Sequence, residues 1–436
     1  MKIKGLRWWV IALIGVATII NYIDRQSLSV LWPQVADDLF PDQSLDERKE
    51  IYANITIIFM FSYAFGQAIF GKIFDWIGTR IGFALSIGVW SVATALHALA
   101  NSFASFSLFR AILGVAEAGN WPGAAKGNAE WFPSKERAFA QGLFNSGAAI
   151  GGIVSIPIIS SLAIALESWQ AIFIVVAVLG FIWLIPWLII VKAPPRKHPW
   201  LTEEEKEYIL TGQQSNADSS EDISEEEGYN PSTGELLSHK QSWGVIIASA
   251  AVDPIWWLFI SWIPLYLFEV YDIDVKGLLI YGWVPYVGAM LGAWSGGLIS
   301  QDRLKAGWTV NKTRKTVISL GCMIMLPALL LLARPGGPTA AVLIMAVILF
   351  GFQVVISSVQ TLPSDMFSGK TVGTLSGFAG MAAKLSAAAL IFLVPVLTQG
   401  GNYAPAFIIG ASLALIAMAS VWFLCGKIEP LKPKNR

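Results

Sequence analysis

The sequence predicts an all-α membrane protein, with twelve transmembrane helices in two six-helix halves joined by a central cytoplasmic loop. Three observations carry that expectation. Charged residues make up only 14% of the 436, and hydrophobic residues make up 55%, whereas a soluble domain carries about 25% charge. The apolar residues gather into twelve blocks of the length that crosses a bilayer, about 20 residues each. Six blocks precede a polar segment at 192–242 and six follow it. One soluble core cannot absorb so many blocks, because cores stop growing at roughly 250–300 residues.

The first block, near 8–33, follows the basic start "MKIKGLRW" and has the look of a secretory leader. Its apolar run continues past Arg25 to Trp32 with no clean small-residue cleavage site, so it is expected to remain as the first span. The next five lie near 51–71, 80–100, 103–125, 138–162 and 168–191. The polar segment opens with "HPWLTEEEKEYIL", a short amphipathic helical pattern with acids in its first turn. "SNADSSEDISEEEGYNPSTGE" follows, with the composition of a solvated connector. The last six blocks lie near 243–270, 277–300, 315–333, 338–360, 371–398 and 404–426. The expected organisation is therefore an N-terminal bundle at 1–191, a linker at 192–242 and a C-terminal bundle at 243–436.

Loops assigned alternately to the two sides distribute the 30 Lys and Arg unevenly. Only Arg48, Lys49, Lys276 and Arg334 fall on one side, and Arg25, Arg110 and Lys384 fall within spans. All the others share the side of both termini and the linker. The positive-inside rule makes that side the cytoplasm, so a multi-pass membrane protein with both termini and the linker in the cytoplasm is expected. A six-loop-six plan further suggests two related halves with a site near the bilayer midplane.

Several function classes fall away on composition. The net charge is zero, which argues against nucleic acid as a partner. Cys322 and Cys425 sit in separate apolar blocks without ligand spacing, so no disulfide framework or metal site is expected. No P-loop, no His-rich cluster and no Ser/His pairing in adjacent motifs is present. A membrane-embedded sensor or enzyme is the weaker alternative, and no cofactor is implied. The partner that composition itself implies is membrane lipid.

The informative residues are charges where lipid should be. An ionisable side chain at the centre of a span costs roughly 2.5–3.5 kcal/mol on insertion scales and is kept only beside a partner or water. Asp24, Arg25, Arg110, Glu117, Asp253 and Lys384 are such residues. Asn21, Asp24 and Arg25 in "NYIDRQSL" share a helix face, and Arg110 and Glu117 in "RAILGVAEAGNWPG" lie two turns apart on another. If both faces point inward, two acids and two arginines meet. A guanidinium holds a carboxylate through a planar fork that lysine lacks, so Arg25 is a candidate anion site. Asp24 and Glu117 are candidate proton carriers. The alternative is two ordinary buried ion pairs that fix packing.

Tyr63 and Gln67 in "FSYAFGQAIFG" are one turn apart and suit either a ligand's hydroxyls or interhelical hydrogen bonds. Asp253 and Lys384 either pair with each other or leave Lys384 as a second anion contact. His97 reads as a packed histidine. Trp256, Trp257, Trp262, Trp283 and Tyr286 suit either anchoring at the interface or stacking on a sugar ring.

Several motifs together resemble the major facilitator superfamily, and specifically its anion:cation symporter branch. "GKIFDWIGTR" (Gly71, Asp75, Gly78, Arg80) is similar to the superfamily's loop between spans two and three, and the resemblance implies a gating role for those four residues. "NYIDR", "RAILGVAEAGNWPG" and "EWFPSKERAFAQG" resemble the branch's first-span and fourth-span signatures. The opening "KIKGLRW", the "EWFP" context, "WIPL" at 262–265 and "TLPSD" at 361–365 are most like bacterial hexuronate transporters. The likeness runs over nearly the whole chain.

It implies a proton-coupled symporter that imports a sugar acid such as glucuronate or galacturonate by alternating access. The alternative is a carrier of another organic anion (aldonate, glucarate, sialic acid or phosphate), with sodium as a further coupling ion. By the resemblance Arg25 takes the substrate carboxylate with help from Tyr63, Asp24 and Glu117 carry protons, and Arg110 tunes Glu117. Ala148 stands where sugar-acid relatives often place glutamine, so Asn145 or Gln353 takes that hydroxyl-binding role. Gly380 stands where relatives carry asparagine, with Lys384 one turn on.

Overall fold

The computed structural model describes residues 2–218, 231–334, 336–367 and 370–429, and most of the acidic connector lies outside them. Among the described residues the chain is helical, apart from one isolated parallel bridge between Ile3 and Leu201. The helices are α1 (Leu6–Leu39), α2 (Leu45–His97), α3 (Phe103–Glu117), α4 (Asn120–Trp131), α5 (Ser134–Leu166), α6 (Trp169–Ile190), α7 (Glu203–Asp218) and α8 (Thr233–Ser238). They continue as α9 (Lys240–Tyr271), α10 (Val275–Tyr281), α11 (Val284–Lys305), α12 (Val310–Leu332), α13 (Pro338–Val359), α14 (Leu362–Met366), α15 (Lys370–Leu397) and α16 (Ala404–Ala419).

Eleven helical stretches among the described residues are long and apolar enough to cross a membrane. The expected blocks at 51–71 and 80–100 run together as α2, which turns at Gly78 (φ 77°, ψ 170°). Only glycine enters that region without a Cβ penalty, so two spans join there without a loop. The block near 103–125 is divided between α3 and α4. Ala118 and Gly119 keep right-handed helical dihedrals (φ −60° and −67°), so the chain carries on through the break. α3 carries Arg110 and Glu117, and α4 brings Asn120, Lys126, Asn128 and Glu130, so this stretch is too polar to match the other spans by hydropathy.

Two compact units form: Met1–Asp42 with Asn54–Ser224, and Gln43–Ala53 with Glu225–Arg436. In the first, α1 packs along α5 and α6. The linker helix α7 is tied to the start of α1. Glu205 accepts hydrogen bonds from the backbone N–H groups of Gly5, Leu6 and Arg7 (2.8, 3.1 and 3.3 Å) and from the Arg7 guanidinium (2.7 Å). These are the donors that a helix N-terminus leaves unpaired. Arg7 also pairs with Glu136 of α5 at 3.0 Å, and Tyr208 of α7 donates to the same carboxylate. The acids in the first turn of α7 thus serve another helix. His198, just before α7, is held below the ordinary imidazole pKa by burial.

In the second unit α11 packs on α13, α13 on α12, and α15 on α9. Lys49, expected as a loop charge, is buried: it pairs with Glu269 at 2.9 Å, both side chains being 1% exposed. Its ammonium also donates to the Thr398 carbonyl, and Tyr403 donates to Glu269. A buried charge needs such partners, and hydropathy cannot announce them. Both cysteines are free thiols and buried.

Candidate functional site

The first unit brings Asp24, Arg25, Tyr63, Gln67, Arg110 and Glu117 together, from helices distant in sequence. Close helix approach makes this possible. A Cβ on Gly114 of α3 would lie 2.6 Å from the Phe59 carbonyl of α2, and one on Gly66 would lie 2.6 Å from the Val115 carbonyl. Gly114 sits between Arg110 and Glu117, and Gly66 lies between Tyr63 and Gln67. The two missing side chains therefore set the distance between the two polar faces.

Glu117, with no side-chain exposure, accepts from Arg25 Nη2 through Oε2 at 3.1 Å. The same Nη2 donates to Asn21 Oδ1 at 3.1 Å, one turn back on α1. The rings of Tyr63, Tyr22 and Phe59 wall the guanidinium at 5.1, 5.4 and 5.5 Å from their centres, which suits cation–π attraction. Tyr63 interacts with both Arg25 and Gln67, so the one-turn spacing on α2 is realised as a contact. Arg110 is buried 5.9 Å from the Phe59 ring centre and lies within electrostatic reach of Asp24 and Glu117.

The three polar residues of α1 do not all face the same partner. Asp24 turns to the second half of α2, where it contacts the Thr94 hydroxyl. That hydroxyl also lies 2.9 Å from the Trp90 carbonyl. The Thr94 hydroxyl is thus shared between the Asp24 carboxyl group and a carbonyl of its own helix. Thr94 gave no signal in the sequence, since a threonine in a span more often bonds its own helix. His97 is a packed residue, as its sequence suggested: Nδ1 lies 2.7 Å from the Ala93 carbonyl, and the ring stacks on Phe173.

The second unit pairs Asp253 with Lys384 at 2.7 Å. Pro254 has no N–H, which frees the Ala250 carbonyl, and Ser386 donates to it at 2.6 Å. α15 is thus pinned to α9 at the level of the charges. Lys384 Nζ also lies 5.6 Å from the centre of Trp257. Trp256 stacks on Phe352 of α13, and Gln353 lies half-buried beside that residue. Trp256, Trp257, Trp262 and Tyr286 are core side chains of this unit.

Of the four residues expected to gate, Gly78 makes the turn in α2, Gly71 has open space around it, and Arg80 reaches the Leu188 carbonyl of α6 at 3.4 Å. The side chains of Asp75 and Asn145 lie outside the described residues. Among the described residues no group of His, Cys, Asp and Glu has metal-binding spacing.

The chain is thus a many-spanned helical protein with an ion-paired polar cluster buried in its spans. The model of the Major Facilitator Superfamily matches residues 14–389, and the chain belongs to that family. It is 32% identical to the hexuronate transporter of Escherichia coli (strain K12), over 97% of this chain and 94% of that one. It is also 32% identical to the galacturonate transporter of Dickeya chrysanthemi, over 74% of this chain and 90% of that one. The fold is similar to that of a bacterial homologue of the human lysosomal transporter Spinster, with a TM-score of 0.70, 18% identity, and coverage of 97% of this chain and 95% of that one.

Proposed function

We propose that this protein is a proton-coupled symporter that imports a sugar acid, a hexuronate such as glucuronate or galacturonate, by alternating access. It works as a monomer in a bacterial inner membrane, with both termini in the cytoplasm and a six-helix bundle on either side of the linker. The buried Arg25–Glu117 pair carries this reading, and the relatives named for hexuronate and galacturonate support the substrate class.

The pair has an asymmetry that suits coupling. Arg25 keeps 9% of its side chain exposed and Glu117 keeps none, so a solute touches the cation first. A substrate carboxylate competes with Glu117 for the same guanidinium. Protonation of Glu117 removes its charge and frees the fork for the anion, so proton and sugar acid bind together. Asp24 carries a second proton site on Thr94, and Arg110 tunes Glu117 by its charge. Tyr63 and Gln67 flank Arg25 and read the hydroxyls, with Asn145, Gln353 and Lys384 as further contacts. Gly71, Asp75, Gly78 and Arg80 gate the change of access.

The test is uptake of labelled glucuronate into proteoliposomes. Glu117→Gln is expected to keep substrate exchange and lose accumulation driven by a pH gradient, and Arg25→Ala is expected to lose both. Equal accumulation by Glu117→Gln and parent sinks the coupling role. The second reading, a carrier of another organic anion coupled to sodium, is supported if uptake follows a sodium gradient at constant pH.

A further inference from the structure

The Asp253–Lys384 pair carries an inference that rests on the anion-carrier reading and deepens it. Asp253 lies near the middle of α9 and Lys384 near the middle of α15, within spans at 240–271 and 374–397. Their side chains keep 16% and 24% of their surface exposed. Exposed charge at that depth is not tolerated against hydrocarbon, so the pair borders a space that admits water. The neighbourhood leaves room for a solute. One turn back from Lys384, Gly380 has nothing within 4 Å of where its Cβ would stand, and neither has Gly377. The position of the pair is fixed: Ser386 clamps α15 to the Ala250 carbonyl, and Trp257, one turn from Asp253 on α9, lies beside the ammonium.

We propose that Asp253 and Lys384 set the charge of the cargo at one. Together they are neutral, so the pair offers no net attraction to a second carboxylate. What they offer a sugar is a matched donor and acceptor: the ammonium donates to ring or hydroxyl oxygens, and the free lone pairs of the carboxylate accept from hydroxyl protons. A monocarboxylate sugar acid places its one anionic group elsewhere and its hydroxyls here. An aldarate, with a carboxylate at each end, meets the fixed negative charge of Asp253. Asp253 is thus a specificity-determining residue, and Lys384 reads hydroxyls in the parent protein and anions only when Asp253 is neutralised.

The two single substitutions move selectivity in opposite directions, which a merely structural ion pair does not. Purified full-length protein is assayed for stabilisation by D-glucuronate and by D-glucarate, and in proteoliposomes each competes with labelled glucuronate. The readout is the ratio of the two half-effective concentrations. Asp253→Asn is expected to shift the ratio about tenfold toward glucarate, the change that ~1.4 kcal/mol produces. Lys384→Gln is expected to shift it away from glucarate, and the double variant returns it to near the parent value. Thermal unfolding of each variant shows that it folds, and if Asp253→Asn does not, Lys384→Gln alone decides the sign. A parent that binds glucuronate with a ratio unmoved by either substitution overturns this inference and leaves the anion reading standing. A parent stabilised by neither sugar acid overturns both.

Discussion

At the scale of single residues, two neighbours on α1 have different partners. Arg25 is held by Glu117 and Asn21, and Asp24 by Thr94. A buried carboxylate stripped of a hydrogen-bond partner costs about 1–3 kcal/mol, which corresponds to roughly 5- to 150-fold. Thr94→Val keeps the shape and removes the hydroxyl, so initial uptake is expected to fall by about tenfold or more at unchanged folded yield. Thr94→Ser restores the hydroxyl and is expected to stay within about twofold of the parent. A valine variant that transports like the parent removes Thr94 from the proposed proton site. Lysine would not replace Arg25, since it lacks the planar, delocalised guanidinium that lies among the rings of Tyr22, Phe59 and Tyr63.

At the scale of elements, the contact between α2 and α3 decides where the polar cluster forms. A methyl group on Gly114 would stand 2.6 Å from the Phe59 carbonyl and 3.1 Å from the Ser62 side chain, so the helices must move apart. Overpacking of this kind costs typically about 1–3 kcal/mol. Gly114→Ala is therefore expected to lower the unfolding temperature and abolish most uptake. Gly88→Ala, on the same α2 helix with nothing within 4 Å, is expected to leave both near the parent values. Melting curves and uptake rates for the pair check this, and equal behaviour of the two variants would refute the packing account. The linker helix α7 is a second case of position set by another element. Glu205 caps α1 and pairs with Arg7, which bonds Glu136 of α5. The Lys2–Glu203 pair beside it is exposed on both sides, and such pairs add little.

At the scale of the whole molecule, the proposed six-loop-six plan makes a topological prediction. With an even number of spans both termini are expected on one side, and by the basic loops that side is expected to be the cytoplasm. A green fluorescent protein fused after Arg436 is expected to fluoresce, and a phosphatase active only outside the cytoplasm is expected to be silent there. The same phosphatase inserted after Asp42 is expected to be active. The reverse pattern would overturn the proposed orientation. The fourth span is the one whose hydropathy alone does not reveal it. It bears Arg110 and Glu117 in α3 and polar residues along α4, so function and hydropathy conflict within one helix.

The sequence by itself determined that most of this chain lives in lipid, where its spans lie, and which few charges must find a partner there. The reason is that lipid cannot solvate a charge or a bare backbone, so both requirements are written in composition and spacing. Arg25, Glu117, Asp253 and Lys384 were legible on that ground, and so was the acidic start of α7. The sequence could not say that Glu117 answers Arg25, that Asp24 turns away to Thr94, or that Lys49 is buried against Glu269. Nor could it say that Glu205 caps a helix some 200 residues away. Those pairings depend on which helices approach closely, and that is decided by glycines, prolines and ring packing in three dimensions rather than by any period along the chain.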